Sequence, residues 1–467
     1  MFFIYGILST ILFIIILPFW LILGMFKPKL VAGFKEKCGF YGEKLPLTLP
    51  SPARGEGKRV TLVFYGVSVG EVIAMENLLK KTREIFPETN IILLTGTKTG
   101  QEIAQKKFAG TCDLISYFPF DLPFCINNFI KKLKPDAVFI METELWPNFA
   151  NIMNKKNIPL FIINGRISDR TYKSYKKLSF FFKPILRKYT NIFTQSKQDN
   201  EKLISIGANP ETTTIMGNLK FDIKKPDTSN LNFEKSECFG EGKVLIAGST
   251  HSGEDEIILD VFTQLKQEIP DLKLIIASRH PERNENIFAL MQQTGFVCSK
   301  RSELLHTPHP NPPPRVGREK DLDQPSIILL DTMGELGKFY SVCDVAFIGG
   351  SFNKTGGHNP LEATIFNKPV VSGPSVHNFK DIYSILTQGS GEIASVDYSC
   401  QNSSLMPRDD VNDAGKVVKT SEELKESIKK LLTDEIFYQK ASKDCENVFE
   451  ENKGALEFVI KVLQSIV

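Results

Sequence analysis

Two segments of this chain open in the same way, and that repetition restricts the possible folds more than any other feature. Val60-Thr61-Leu62-Val63-Phe64-Tyr65 runs into Gly66-Val67-Ser68-Val69-Gly70-Glu71 and then a helical pattern through Lys81. Lys243-Val244-Leu245-Ile246-Ala247 runs into Gly248-Ser249-Thr250-His251-Ser252-Gly253-Glu254 and then a helical pattern through Lys266. A second short apolar run follows each helix, at 91–94 in the first half and 272–276 in the second. Strand, glycine turn, helix and strand, given twice, predict an α/β chain with two Rossmann-like parallel sheets. Ligands of such sheets bind beyond the carboxyl ends of the strands, so the expectation is two domains facing a cleft.

Residues 1–26 carry no charged side chain and are dominated by Ile, Leu and Phe, enough apolar length to cross a bilayer. A cleaved leader would show a basic start and a small-residue cleavage site, whereas this run begins at Met1 and ends in Phe26-Lys27-Pro28-Lys29. No polar face is visible in it, which favours a spanning transmembrane helix over a surface-lying one. Lys27, Lys29, Lys35 and Lys37 follow, so the positive-inside rule puts the body of a single-pass protein in the cytoplasm.

The remaining chain, roughly 440 residues, exceeds one hydrophobic core and predicts two domains. The expected division is an anchor at 1–26, a linker with a Pro/Arg/Gly-rich insertion at 27–58, a first Rossmann-like domain at 59–222, an interdomain linker at 223–240, a second Rossmann-like domain at 241–419, and C-terminal helices at 420–467 that pack back on the body. The polar stretch from Asn218 to Gly240, with Pro226, has hinge character. The Pro-, Gly- and Arg-rich segments at 45–57 and 306–318 read as exposed insertions without a catalytic role. A net charge of +3 gives no case for nucleic acid. Eight cysteines without a C-x-x-C pair suggest neither zinc nor a disulfide framework and suit a reducing compartment. No feature specifies an oligomeric state.

Candidate chemistry collects at strand ends. Gly349-Gly350-Ser351-Phe352-Asn353-Lys354-Thr355-Gly356-Gly357-His358-Asn359-Pro360-Leu361-Glu362-Ala363 joins an apolar strand to a glycine-rich turn and a helix start, with Asn359 as N-cap and Pro360 at the first helical position. Such a turn can bring backbone N–H groups to a phosphate; Asn359-x-x-Glu362 also fits a plain capping box. Glu71 carries the same ambiguity, because Ser68-x-x-Glu71 is a capping box and a strand-end carboxylate is also a candidate base. Glu142 and Glu144, with Trp146, follow the strand 137–140 and can orient an acceptor or support an arginine; a solvated loop is the other reading. Arg279 follows the strand 272–277 and can meet a phosphate or carboxylate bidentately, with Ser249 and His251 on the facing turn. His251 and His280 are taken as structural.

The stretch 172–189 mixes six basic residues with Tyr, Phe, Ile and Leu, which fits a surface that meets anionic lipid heads or a helix whose phenylalanines pack inward. No convincing metal-ligand cluster appears, and a D-x-D reading of Asp321-Leu322-Asp323 is weak. No metal and no cofactor are expected.

With these residues in view, the chain resembles the 3-deoxy-D-manno-octulosonic acid (Kdo) transferases of lipopolysaccharide assembly. The resemblance rests on Ser68-Val69-Gly70-Glu71, Glu142-Thr143-Glu144-Leu145-Trp146-Pro147-Asn148, Asn164-Gly165-Arg166-Ile167-Ser168, Gly217-Asn218-Leu219-Lys220-Phe221-Asp222, Gly248-Ser249-Thr250-His251, Arg279-His280-Pro281-Glu282-Arg283 and Gly356-Gly357-His358-Asn359-Pro360-Leu361-Glu362. It implies a GT-B fold and metal-independent, inverting transfer of Kdo from CMP-Kdo to the tetraacyl disaccharide precursor of lipid A at the inner membrane. By that resemblance Glu71 is the general base. Arg279, Ser249, Thr250, Gly356, Gly357, Asn359 and Glu362 would bind the donor, and Ser68, Gly70, Glu142, Glu144 and Arg166 would bind the acceptor. Tyr65-Gly66 stands where the family commonly has His-Ala. Competing expectations are a GT-B sugar-nucleotide epimerase, another GT-B lipid glycosyltransferase, and a non-catalytic tether that binds nucleotide. A dinucleotide oxidoreductase is weaker, since no clean G-x-G-x-x-G follows a first strand.

Overall fold

The structure, a computed structural model, describes residues 1–26, 31–42, 59–228, 242–305, 325–387 and 412–467. Lys27 and Lys29, the insertions at 45–57 and 306–318, the Asp321-Leu322-Asp323 run and linker residues 229–240 lie outside the described residues. The chain divides into two compact units, Met1–Ile223 with Asn452–Val467, and Lys224–Glu451.

The first unit is built on seven strands: β1 (Thr61–Gly66), β2 (Asn90–Thr95), β3 (Leu114–Tyr117), β4 (Ala137–Met141), β5 (Leu160–Gly165), β6 (Asn191–Thr194) and β7 (Thr213–Ile215). They pair in parallel in the order β3-β2-β1-β4-β5-β6-β7. Parallel strands need crossover helices, which cover both faces, and β1, β4 and β5 are accordingly buried at every position. Phe64, Phe139, Phe161 and Phe193 stack across β1, β4, β5 and β6 with centroids 5.2, 4.8 and 6.1 Å apart, fixing the register of one face. The first helical pattern resolves into two helices, Val69–Ala74 and Glu76–Ile85. The break at Met75 lets its side chain pack under Gly66, where an added Cβ would lie 2.7 Å from the Met75 methyl.

The second unit repeats the plan with β8 (Val244–Thr250), β9 (Lys273–Ser278), β10 (Cys298–Lys300), β11 (Ile327–Leu329), β12 (Val345–Ile348), β13 (Val370–Ser372) and β14 (Gly415–Val417), ordered β10-β11-β9-β8-β12-β13-β14 and parallel throughout. The repetition reaches single residues. Asp136, before β4, accepts the Thr61 N–H that starts β1 at 2.9 Å, and Asp344, before β12, accepts the Val244 N–H that starts β8 at 2.7 Å. Two Rossmann-like sheets in one chain give the α/β, GT-B-type organisation. In each sheet the strand order reverses at one pair, β1 with β4 and β8 with β12.

The C-terminal residues belong to both units. Leu424, Ile428, Leu431 and Leu432 of helix Ser421–Thr433 join the second core, while Ala455, Val459, Ile460 and Leu463 of helix Ala455–Gln464 join the first. Asn218–Phe221 is not hinge but core. Leu219 and Phe221 are buried, and the Leu219 N–H donates to Asn164 Oδ1 at 2.9 Å.

Among the described residues one apolar helix, Phe2–Phe26, is long enough to cross a membrane. One face of it is covered by the first unit. Phe2, Tyr5, Gly6, Ser9, Thr10, Phe13, Leu17, Trp20 and Gly24 are covered, and every other residue from Phe3 to Phe26 is exposed. In the 172–189 stretch Tyr172, Tyr175, Phe181 and Phe182 pack on the core, as the inward-packing reading expects, while Phe180 is 75% exposed.

Candidate active site

In the first unit the carboxyl ends of β1, β4 and β5 carry the six expected residues Ser68, Gly70, Glu71, Glu142, Glu144 and Arg166. Ser68 caps helix Val69–Ala74, its Oγ accepting the Glu71 N–H at 3.3 Å. Glu71 reaches back, accepting the Val67 N–H at 2.8 Å through one oxygen and the Ser68 hydroxyl at 2.8 Å through the other. The capping box is therefore formed, and it fixes the carboxylate rather than excluding it from chemistry. Glu71 stays half-buried, and burial, with the Glu142 charge behind it, raises its carboxyl above the ordinary range against the two hydrogen bonds.

Glu142 follows β4 with φ of 59°, a left-handed conformation that a non-glycine residue adopts at a cost. That turn aims its carboxylate at Arg166, whose Nε donates at 2.9 Å, and at Lys220 Nζ, 3.8 Å away. Glu144, two residues on, is pushed up to about 7 by burial and by the charges of Glu71 and Glu142. Three acids with a guanidinium and an ammonium thus share the point where strand order reverses, the position at which open parallel sheets bind ligands. Gly70 is exposed on the same turn, and an added Cβ would meet only Ser68 Oγ, at 3.9 Å. The protein's own packing therefore does not require glycine there.

In the second unit an acid that belongs to the protein itself occupies part of the glycine turn. The N–H groups of Gly350, Ser351 and Phe352, ahead of the helix start at which a phosphate is expected, donate to Glu254 at 2.7, 2.8 and 2.9 Å, and the His251 N–H donates to the same carboxylate at 2.9 Å. Glu254 is buried. An internal anion fills the first half of the glycine turn and ties it to the turn after β8. Sequence reasoning missed this residue, although Glu254 follows Gly253 at the start of a helix much as Glu71 follows Gly70.

In the second half of the turn the Gly357 N–H donates to the Gly350 carbonyl at 2.7 Å and the His358 N–H to the Gly349 carbonyl at 3.1 Å. Gly356 and Gly357 have φ of 98° and 75°, and a Cβ on Gly356 would meet His377 Nε2 at 2.4 Å. The following helix, Leu361–Thr364, starts one residue later than expected. Pro360 is its N-cap, and Asn359 Oδ1 accepts the Leu361 N–H at 3.1 Å. Glu362 is exposed; the surrounding protein raises its carboxyl, and the Arg279 guanidinium opposes that rise.

Arg279, exposed after β9, also acts on His251 and His358. Those two rings stack with Nε2 atoms 2.9 Å apart, and His280 meets His251 edge-on. Burial lowers both His251 and His358, the latter to about 4, so the pair is neutral near pH 7 and one ring donates to the other. Ser249 holds φ of 58° at the end of β8. The buried Thr250 hydroxyl donates to Asp255 at 2.6 Å, and Arg283 pairs with the other Asp255 oxygen, so both side chains are spent on structure.

The profile of the family described as 3-deoxy-D-manno-octulosonic-acid transferase (kdotransferase) matches residues 32–223. A 3-deoxy-D-manno-octulosonic acid transferase of Haemophilus influenzae is 30% identical over 452 residues, covering 96% of this chain and 95% of its own length. A bifunctional glycosyltransferase/methyltransferase of Fusobacterium nucleatum is 41% identical over 319 residues, 68% of this chain; the match spans 47% of that longer relative. Among solved structures, the C-terminal CMP-Kdo binding domain of WaaA from Acinetobacter baumannii aligns with 46% of this chain and 94% of its own length, at 24% identity and a TM-score of 0.35. With near-complete mutual coverage of the Haemophilus enzyme, this chain is a glycosyltransferase and belongs to the Kdo transferase family.

Proposed function

We propose that the protein transfers Kdo from CMP-Kdo to the tetraacyl disaccharide precursor of lipid A, in lipopolysaccharide core synthesis, on the cytoplasmic face of the inner membrane. The observation that carries this reading is the half-buried Glu71 carboxylate, held by two hydrogen bonds beside Glu142 and Glu144 at the strand-order reversal of the first sheet. Burial and like charge lift such a carboxyl toward the working pH, which suits a general base. Glu71 takes the proton of an acceptor hydroxyl as its oxygen attacks the anomeric carbon of Kdo. The bond from that carbon to the phosphate oxygen breaks, and CMP leaves with the electron pair. Attack from the face opposite the leaving group inverts the centre. Glu142, held by Arg166 and Lys220, orients the acceptor, and Ser68 keeps Glu71 in its rotamer.

The departing phosphate gains charge and needs a fixed cation. Arg279 supplies it, with Ser249, Gly356, Gly357 and Asn359 framing the site and Glu362 placed for sugar hydroxyls. Thr250 enters only through its backbone, since its hydroxyl is committed to Asp255. The test is CMP release from CMP-Kdo with and without the lipid acceptor. Release that depends on the acceptor is the expected result; equal release without it would mean hydrolysis and reject transfer.

A further inference from the structure

The N-terminal helix touches the first unit along its whole length. Its covered residues recur every three or four positions, a single stripe through all the turns of a helix about 37 Å long at 1.5 Å per residue. At the start, Phe2 lies 5.9 Å from the Lys188 ammonium and Tyr5 lies 6.1 Å from Phe181, centroid to centroid. Next, Asn148 Nδ2 donates to Ser9 Oγ at 3.2 Å, and Gly6 gives room, since a Cβ there would meet Asn148 Oδ1 at 3.2 Å. Phe13 and Trp20 then pack on Phe120 at 5.4 and 5.8 Å, Trp20 reaches Phe34, and Gly24 closes on Val31.

A helix perpendicular to a bilayer would carry everything it touches through the hydrocarbon. Here that would include the Lys188 ammonium, the Asn148 amide and the carboxylate of Asp121, which accepts the Asn148 and Phe149 N–H groups. A Rossmann unit with such groups at the contact cannot sit at that depth. The outer face is as apolar as the inner face is mixed, with Phe3, Ile4, Leu8, Ile14, Phe19 and Phe26 exposed. The apolar surface continues onto the body at Phe124, Leu178 and Phe180, and the exposed Lys173, Lys176, Lys177, Lys183 and Arg187 surround the latter two. An open cavity of about 430 Å³ on that side is lined by Phe180, Lys183, Arg187 and Gly207. Apolar side chains level with a row of cations match one leaflet of an anionic membrane: acyl chains beneath, phosphate heads beside.

We propose that the helix Phe2–Phe26 lies in the plane of the membrane as a fixed part of the first unit, immersed in the leaflet that faces the body, so that the protein enters one leaflet and does not span. This rests on the reading that the apolar helix meets a bilayer, and it is independent of which sugar is moved. The test is an epitope tag ahead of Met1 on the full-length protein, probed by protease added to spheroplasts and then to lysed membranes. A tag protected in spheroplasts, cut only after lysis, on protein that sediments with the membranes is the expected result. Cutting in intact spheroplasts would place the N-terminus outside and overturn the proposal. Protein left in the soluble fraction would overturn the membrane partner while leaving transferase activity in detergent unaffected. As a second measurement, the Ser9→Cys, Asn148→Cys pair should crosslink in native membranes under mild oxidation. No crosslink in folded, active protein would show a free stem and likewise overturn it.

Discussion

A single carboxylate serves two purposes at Glu71. It completes the cap of helix Val69–Ala74, and it stands among acids that raise its proton affinity. Glu71→Gln separates the two, because the amide oxygen still accepts the Val67 N–H while the base is gone. The expected outcome is an unchanged thermal midpoint with turnover lower by about two to four orders of magnitude. Glu144 gives a pH signature. The folded protein holds this proton up to about 7, whereas the unfolded chain releases it near the ordinary value of 4.5. Stability from this group is therefore full below 4.5 and is lost as the pH rises through about 7. Glu144→Gln should flatten that slope and make the protein about 1–2 kcal/mol more stable at pH 8, read from denaturant unfolding at several pH values.

At the scale of elements, the glycine turn after β12 owes its shape to Glu254. Removing that carboxylate leaves four backbone N–H groups without their acceptor, so Glu254→Ala should cost at least about 3 kcal/mol and weaken CMP binding as the turn loosens. This link was hidden in the sequence because its partners lie 96 to 98 residues apart. The strands themselves were legible, since β1, β2, β8, β9 and β12 fall on apolar runs, and all but β9 hold a glycine or end beside one. Local pattern also exposed the cap at Ser68 and Glu71. What it could not show was set by tertiary contact. The Asn218–Phe221 segment looked like a hinge but is locked by Asn164, and the helix Phe2–Phe26 hid a face that only its partners Asn148 and Phe120 define. His358 likewise gained its role from His251, 107 residues away.

For the whole molecule, the same sheet plan is used twice with different titratable groups at the two strand reversals. Acids gather at the strand reversal of the first unit, and Arg279 with neutral histidines at that of the second. With proton removal proposed at the first and leaving-group charge at the second, ligand effects should separate. CMP at about 100 times its Kd should stabilise the wild type and Glu71→Gln alike by about 2.7 kcal/mol, and Arg279→Ala should lose most of that shift in a thermal melt. The most direct test of the central claim is mass spectrometry of the tetraacyl disaccharide after incubation with CMP-Kdo and the intact protein. The expected result is acceptor heavier by whole Kdo residues with wild type and unmodified acceptor with Glu71→Gln. Unmodified acceptor with active wild-type protein, or full conversion by Glu71→Gln, would contradict it.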